Sequence, residues 1–329
     1  KSSAASDVYK RQILSTVTII ESLKSAERII IVCHIRPDGD CLGAGFALKR
    51  IAERLGKKVD FVTDSDRPEH YSFIADFYSL NDKKYDNYDL GIAVDCADDQ
   101  RLGKYLSVFS KCRLSVNIDH HRTNNRFAKI NLVAPDKSST CEHLFDLIER
   151  DGVIDGATAT LLYLGISTDT GNFMHSNTTP ATLSAASKLL TSGADLNLIV
   201  NGIYKNNTKN KLALTAKAIE SMRFFHGDKI VVMTVTAAML ESCGCVMADT
   251  EGLIDYGMSI GSVRAAVCMT EQKPRSYKVS FRAKDVDVAS AAVSFGGGGH
   301  RLAAGCVVNG HYEDVVAKVV KAVKDGFEE

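Results

Sequence analysis

The strongest constraint on the fold is a repeated order: an apolar run with no polar face, a short loop bearing acids or histidine, then a helix. Arg28-Ile29-Ile30-Ile31-Val32-Cys33 is branched and apolar through its centre. A strand of that kind leaves no face for water, so it belongs inside a parallel sheet covered on both sides. It runs into His34-Ile35-Arg36-Pro37-Asp38-Gly39-Asp40, then Cys41-Leu42-Gly43-Ala44-Gly45 and a helical pattern to Leu55. Lys57 to Thr63, Tyr88 to Val94, Arg113 to Ile118 and Lys129 to Val133 read as further strands. The expected class is α/β: an N-terminal doubly wound, mainly parallel sheet joined by a helical linker to a smaller α/β C-terminal domain.

Candidate chemistry collects where these elements end. In the first loop, Pro37 and Gly39 impose a tight turn that can aim His34, Asp38 and Asp40 at one point. Carboxylate and imidazole donors without thiolate favour manganese, magnesium or iron over a structural zinc. Asp95 closes the third strand, while Asp98 and Asp99 read as the cap of a helix from Gln100 to Ser110. The fourth strand opens into Asp119-His120-His121. Ser139-Thr140-Cys141-Glu142 has capping-box form and starts a helix to about Asp151. A helix from Ala157 to Thr168 leads to Asp169, a carboxylate placed against the helix dipole, which points to a cation partner.

The C-terminal part is organised differently. Thr179-Pro180 starts a helix ending at Ser192-Gly193, and Asp195 to Lys205 and Thr208 to Phe225 read as two more helices. The expected boundaries are a leader over residues 1–12, foreign to the fold, a first domain over 13–193 opening with a helix from Ile13 to Lys24, a linker over 194–226, and a second domain over 227–329. In the second domain Lys229 to Thr236, Ser262 to Met269 and Tyr277 to Arg282 read as strands, and Val286 to Phe295 and Tyr312 to Phe327 as helices. Phe295-Gly296-Gly297-Gly298-Gly299-His300-Arg301 reads as an anion-binding loop, its glycines there to expose N–H donors rather than to pack, with His300 and Arg301 beside them.

Composition narrows the function. Lysine plus arginine equals aspartate plus glutamate at 40 each, so no global field draws the chain to long nucleic acid or an acidic membrane. Any phosphate site is therefore local. The nine cysteines show no C-x-x-C pair and read as free thiols of a reducing cytoplasm. No apolar run reaches membrane-spanning length, and no secretory signal is expected.

Taken together, His34-x-x-x-Asp38-x-Asp40, Asp95, Asp119-His120-His121, Asp169 and the downstream Gly296 to His300 resemble the DHH phosphoesterases with their DHH-associated C-terminal domain. The layout is most like the bifunctional nanoRNase (oligoribonuclease)/pAp phosphatase group. The resemblance implies a dinuclear manganese centre, with magnesium the alternative: His34 and Asp38 on one ion, Asp40, His120 and Asp169 on the other, and Asp95 bridging both. It implies catalytic roles for Asp95, for Asp119 as an orienting carboxylate, and for His121 facing the scissile phosphate. Arg282 matches a strand arginine that contacts substrate, joined by Gly297, Gly298, Gly299, His300 and Arg301. Arg36 departs from the pattern, standing where the family often has asparagine. Two close divalent ions can activate a water and neutralise a phosphoryl transition state, so no protein nucleophile is required.

The expected activity is manganese-dependent hydrolysis of short oligoribonucleotides and 3'-phosphoadenosine 5'-phosphate. The expected partners are short single-stranded RNA or small nucleotides, and a homodimer is compatible with the resemblance. The alternative within the class is a phosphodiesterase for cyclic di-AMP or linear pApA. A non-catalytic nucleotide sensor is the alternative outside it, and the filled ligand positions argue against that.

Overall fold

The computed structural model describes residues 19–327. The leader over 1–12 lies outside the described residues, as does the first part of the helix expected from Ile13; its remainder is helical over 19–25 and is α1. The chain divides into two compact units, one ending at Asn206 and one starting at Asn207.

In the first unit, β1 (Arg28–Cys33), β2 (Lys58–Val62), β3 (Leu90–Val94), β4 (Leu114–Asp119) and β5 (Ile130–Val133) form one sheet in the order β2-β1-β3-β4-β5. Every neighbouring pair is parallel. Both faces of β1 are buried: Ile29, Ile31 and Cys33 enter the larger apolar cluster, while Ile30 and Val32 enter the cluster on the opposite face. Each of these isoleucine and valine side chains stabilises the fold by about 1.5–3 kcal/mol. The strand order reverses between β1 and β3, which is where open α/β sheets hold their ligands.

Helices α2 (Gly39–Arg54), α3 (Leu106–Lys111), α4 (Thr140–Ile148), α5 (Gly156–Asp169) and α6 (Pro180–Thr191) complete this unit with α7 (Leu196–Ile199), which passes into a π-helical turn at Val200–Tyr204. Helices α2 and α5 come so close that a Cβ at Gly43 would sit 2.4 Å from the Leu161 carbonyl oxygen, so no larger residue fits there. That approach brings the start of α2 beside the end of α5. The segment read as a linker is shared between the units, since Tyr204 donates its hydroxyl to the Ser167 carbonyl and belongs with the first.

The second unit opens with α8 (Lys209–Glu220), shorter than the helix expected to reach Phe225. Its last residues instead form β6 (Arg223–Phe225), antiparallel to β7 (Ile230–Val235). The tight connection explains the difference: His226, Gly227 and Asp228 all take left-handed φ, at 55°, 62° and 61°, and turn the chain back on itself. With β8 (Ala265–Lys273), β9 (Ser276–Ala283), β10 (Gly298–His300) and β11 (Ala303–Asn309), the sheet order is β10-β11-β9-β8-β7-β6. Only β7 and β8 run parallel. Around it lie α9 (Ala237–Cys243), α10 (Leu253–Met258), α11 (Ala289–Ser294) and α12 (Tyr312–Asp325). Among the described residues no helix is long and apolar enough to cross a membrane.

Candidate metal centre

The sheet and the α2–α5 approach bring seven carboxylate and imidazole side chains of the first unit together. Asp38 caps α2: its Oδ1 accepts from the amides of Asp40 and Cys41, both at 3.1 Å. Its Oδ2 is left 3.7 Å from His34 Nε2. His34 donates from Nδ1 to the Ile35 carbonyl at 2.9 Å, so Nε2 is the nitrogen turned to the site.

Asp95, just beyond β3, has φ 58°, a left-handed conformation that aspartate enters more readily than most side chains yet still at a cost, one tolerated where geometry must be held. Its two oxygens face different neighbours. Oδ2 lies 3.4 Å from His34 Nε2, and Oδ1 lies 3.7 Å from His120 Nε2 and 3.6 Å from His121 Nδ1. His120 donates from Nδ1 to the Lys137 carbonyl at 3.3 Å, which leaves Nε2 facing Asp95 and, at 3.6 Å, Oδ2 of Asp169 at the end of α5. Asp40 accepts from the amides of Thr140 at 2.6 Å and Cys141 at 2.9 Å. Donor atoms of Asp40, His120 and Asp169 lie within 4.8 Å of one another, as do those of Asp95, His120 and His121, and those of His34, Asp38 and Cys41.

Asp119 is fully buried and directs its oxygens elsewhere: Oδ1 accepts from His121 Nδ1 at 2.7 Å and Oδ2 from Asn124 at 2.6 Å. Thr140, Asn124 and the Cys41 thiol are participants that sequence reasoning passed over. Ser139-Thr140-Cys141-Glu142 reads locally as a capping box, and only half of that holds. Ser139 accepts from the Glu142 amide at 2.9 Å, but the Glu142 carboxylate turns away to Ser138.

The electrostatics report crowded negative charge. Burial pushes the Asp40 carboxyl well above its ordinary range, reinforced by the charges of Asp95, Asp169 and Asp38. Burial likewise lifts Asp169 to about 6, with His120 pulling the other way. Burial depresses His34, yet hydrogen bonds and charge from Asp38 and Asp95 outweigh it and raise the imidazole to about 11. The hydrogen bond to Asp119 raises His121 in spite of burial. Among the described residues, the ion partners of Asp38, Asp95 and Asp169 are histidines alone. Four clustered carboxylates, two of them inside the protein, with imidazole nitrogens aimed between them, fit divalent cations of oxygen and nitrogen preference.

Residues 28–166 match the DHH family N-terminal domain, and residues 227–329 match the DHHA1 domain. A bifunctional oligoribonuclease and PAP phosphatase NrnA from Thermus thermophilus is 32% identical, over 93% of this chain and 93% of its own length. The chain belongs to the DHH family of phosphoesterases. The NrnA protein of Bacillus subtilis is 26% identical over 88% of this chain and 92% of its own. An exopolyphosphatase-related protein from Bacteroides fragilis has the same fold, with TM-score 0.86 at 23% identity over 95% of this chain and 96% of its own. The DHH match runs from β1 into α5, so Asp169 is the one candidate ligand beyond its end.

The DHHA1 unit holds the other candidate residues. Arg282 on β9 lines a polar cavity of about 310 Å³ with Lys278, Ser280, Thr270 and Thr250. The glycine run is tighter than an open loop. The amides of Gly296 and Gly297 close the end of α11 on the carbonyls of Val293 and Ala292, both at 2.9 Å, and Gly298 to His300 pair with β11. A Cβ at Gly297 would lie 2.2 Å from the Gly305 carbonyl oxygen, and one at Gly299 2.5 Å from that of Ala303. Two of these glycines thus have the packing reason that sequence reasoning denied them. His300 and Arg301 are exposed, Arg301 donating to the Asp285 carbonyl at 2.8 Å.

Proposed function

We propose that this chain hydrolyses phosphate esters of short oligoribonucleotides and of 3'-phosphoadenosine 5'-phosphate, and that its metal centre takes two divalent cations. The observation that carries the reading is Asp95, whose two oxygens face His34 on one side and His120 on the other. That is the disposition a bridging carboxylate needs. His34 and Asp38 would hold one cation and Asp40, His120 and Asp169 the other. Such cations, manganese by preference and magnesium as the alternative, supply an activated water and offset phosphoryl charge.

The chain's own residues do the rest. Asp119 accepts the Nδ1 proton of His121, which fixes the ring and leaves Nε2 to meet the scissile phosphate. Arg282, His300 and Arg301, with the backbone of Gly298 and Gly299, bind the far phosphate or terminal group of the nucleotide; the Gly297 amide, expected to join them, is held by the Ala292 carbonyl. The names of the similar NrnA proteins support this substrate class, and nine free cysteines support a reducing, cytoplasmic setting.

The test is purified protein with manganese and a panel of 3'-phosphoadenosine 5'-phosphate, linear pApA, cyclic di-AMP and short RNA, with products separated by chromatography. Release of AMP from the bisphosphate and mononucleotides from RNA is expected. Hydrolysis confined to pApA or cyclic di-AMP would replace this reading with the phosphodiesterase one, and no metal-dependent product at all would end the enzyme reading.

A further inference from the structure

The turn at residues 137–141 touches the metal centre at several points. The Lys137 carbonyl accepts from His120 Nδ1. The Ser138 carbonyl accepts from Asn177 Nδ2 at 3.0 Å, and the same amide group donates to the Asp169 carbonyl at 3.2 Å. The amides of Thr140 and Cys141 hold Asp40, and the Thr140 hydroxyl holds Asp95. One short turn therefore steers His120, Asp40 and Asp95 directly and reaches the backbone of Asp169 through Asn177.

A single side chain pins that turn. Glu142 is 1% exposed. Its Oε2 accepts from the Ser138 amide at 3.0 Å, the Ser138 hydroxyl at 2.6 Å and the Thr182 hydroxyl at 2.8 Å, and its Oε1 from Lys137 Nζ at 3.2 Å. Burial opposes the charge, but these donors outweigh it and hold the carboxyl below its ordinary range. Helix capping does not require this acid, because Ser139 already caps α4.

We infer that Glu142 is a positioning residue of the metal centre, acting through the 137–141 turn chiefly on Asp40, His120 and Asp169 and, through Thr140, on the bridging Asp95. The inference rests on the two-cation reading. Supporting groups behind metal ligands change affinity because they set the angle at which a donor meets the ion.

The experiment is a manganese titration followed by calorimetry and by the electron paramagnetic resonance of the bound ion. Wild type should bind two ions. Glu142→Ala should weaken the Asp40–His120–Asp169 site about 10- to 100-fold and the His34–Asp38 site, which shares only Asp95 with the turn, by clearly less. Glu142→Gln, which keeps an acceptor for Ser138 and Thr182, should recover most of the loss. Should Glu142→Ala fail to fold by circular dichroism, Asn177→Ala decides, since it cuts only the link from Ser138 to Asp169, and it must show the same selective loss. A folded Glu142→Ala with both affinities intact, equal weakening of both sites, or an unaffected Asn177→Ala in that second case would overturn the inference. Wild type that binds no manganese would instead overturn the two-cation reading beneath it.

Discussion

The Thr140 hydroxyl donates to Oδ1 of Asp95 across 2.9 Å, joining residues 45 positions apart in the chain. Both are buried. Thr140→Val keeps the shape and leaves the carboxylate short of a donor, a loss worth about 1–3 kcal/mol. We expect turnover of 3'-phosphoadenosine 5'-phosphate to fall about tenfold, whereas Asp95→Ala should abolish it and lower manganese stoichiometry, because in the proposed two-cation centre that side chain would serve both ions. Steady-state kinetics and metal analysis of the dialysed proteins check both.

The Asp119–His121 hydrogen bond sets the second expectation. Since that bond is the main cause of the raised His121 pKa, Asp119→Asn should move the His121 titration in the metal-free protein to lower pH. The sign for stability follows from linkage. A histidine whose folded pKa is raised stabilises the fold fully below its unfolded value and loses that contribution as pH rises through the folded one. In the variant this pH-dependent increment should shrink. Titration of the His121 ring proton by NMR gives the measurement, and an unchanged midpoint would contradict it.

Metal binding should carry its own pH dependence. Asp169 titrates at about 6 and Asp40 is displaced in the same direction, so protons compete with cations for these carboxylates on the acid side. We expect manganese affinity to fall about tenfold or more for each pH unit below about 6, with proton release on binding. Calorimetry in two buffers of different ionisation enthalpy reads the released protons directly.

Arg36 carries a backbone cost. It sits at φ 60° while its amide donates to Ser65 Oγ at 2.8 Å, and asparagine takes that conformation more readily. Arg36→Asn should therefore stabilise the protein by up to about 1 kcal/mol, seen as a higher denaturant midpoint. A higher KM in the same variant would assign the guanidinium to substrate phosphate.

His300 is exposed on β10 of the DHHA1 unit. His300→Ala should raise KM about tenfold, the scale of one lost hydrogen bond to a charged group, and leave manganese stoichiometry at the wild-type value. Loss of metal in that variant would contradict the division of labour proposed between the two units.

The first-unit strands, the parallel sheet and the placing of His34, Asp38, Asp40, Asp95, His120 and Asp169 at element ends are legible in the sequence. Apolar runs, helix caps and turn residues are local signals, and a strand buried on both faces announces itself in a run such as Ile29 to Val32. The strand β6 is not legible, because Arg223 to Phe225 continue an acceptable helical pattern and only the turn at His226 to Asp228 folds them back onto β7. The packing of Gly297 and Gly299 against β11 is equally invisible, since it depends on a neighbouring backbone rather than on the run itself. The support behind the candidate ligands also belongs to tertiary structure. Local chemistry gives Thr140 and Glu142 to a helix cap, but the order of the sheet and the close approach of α2 to α5 bring Asp40, Asp95 and Asp169 to the same turn. Which donor meets which carboxylate across such distances in the chain is decided by packing, and packing is what no short stretch of sequence contains.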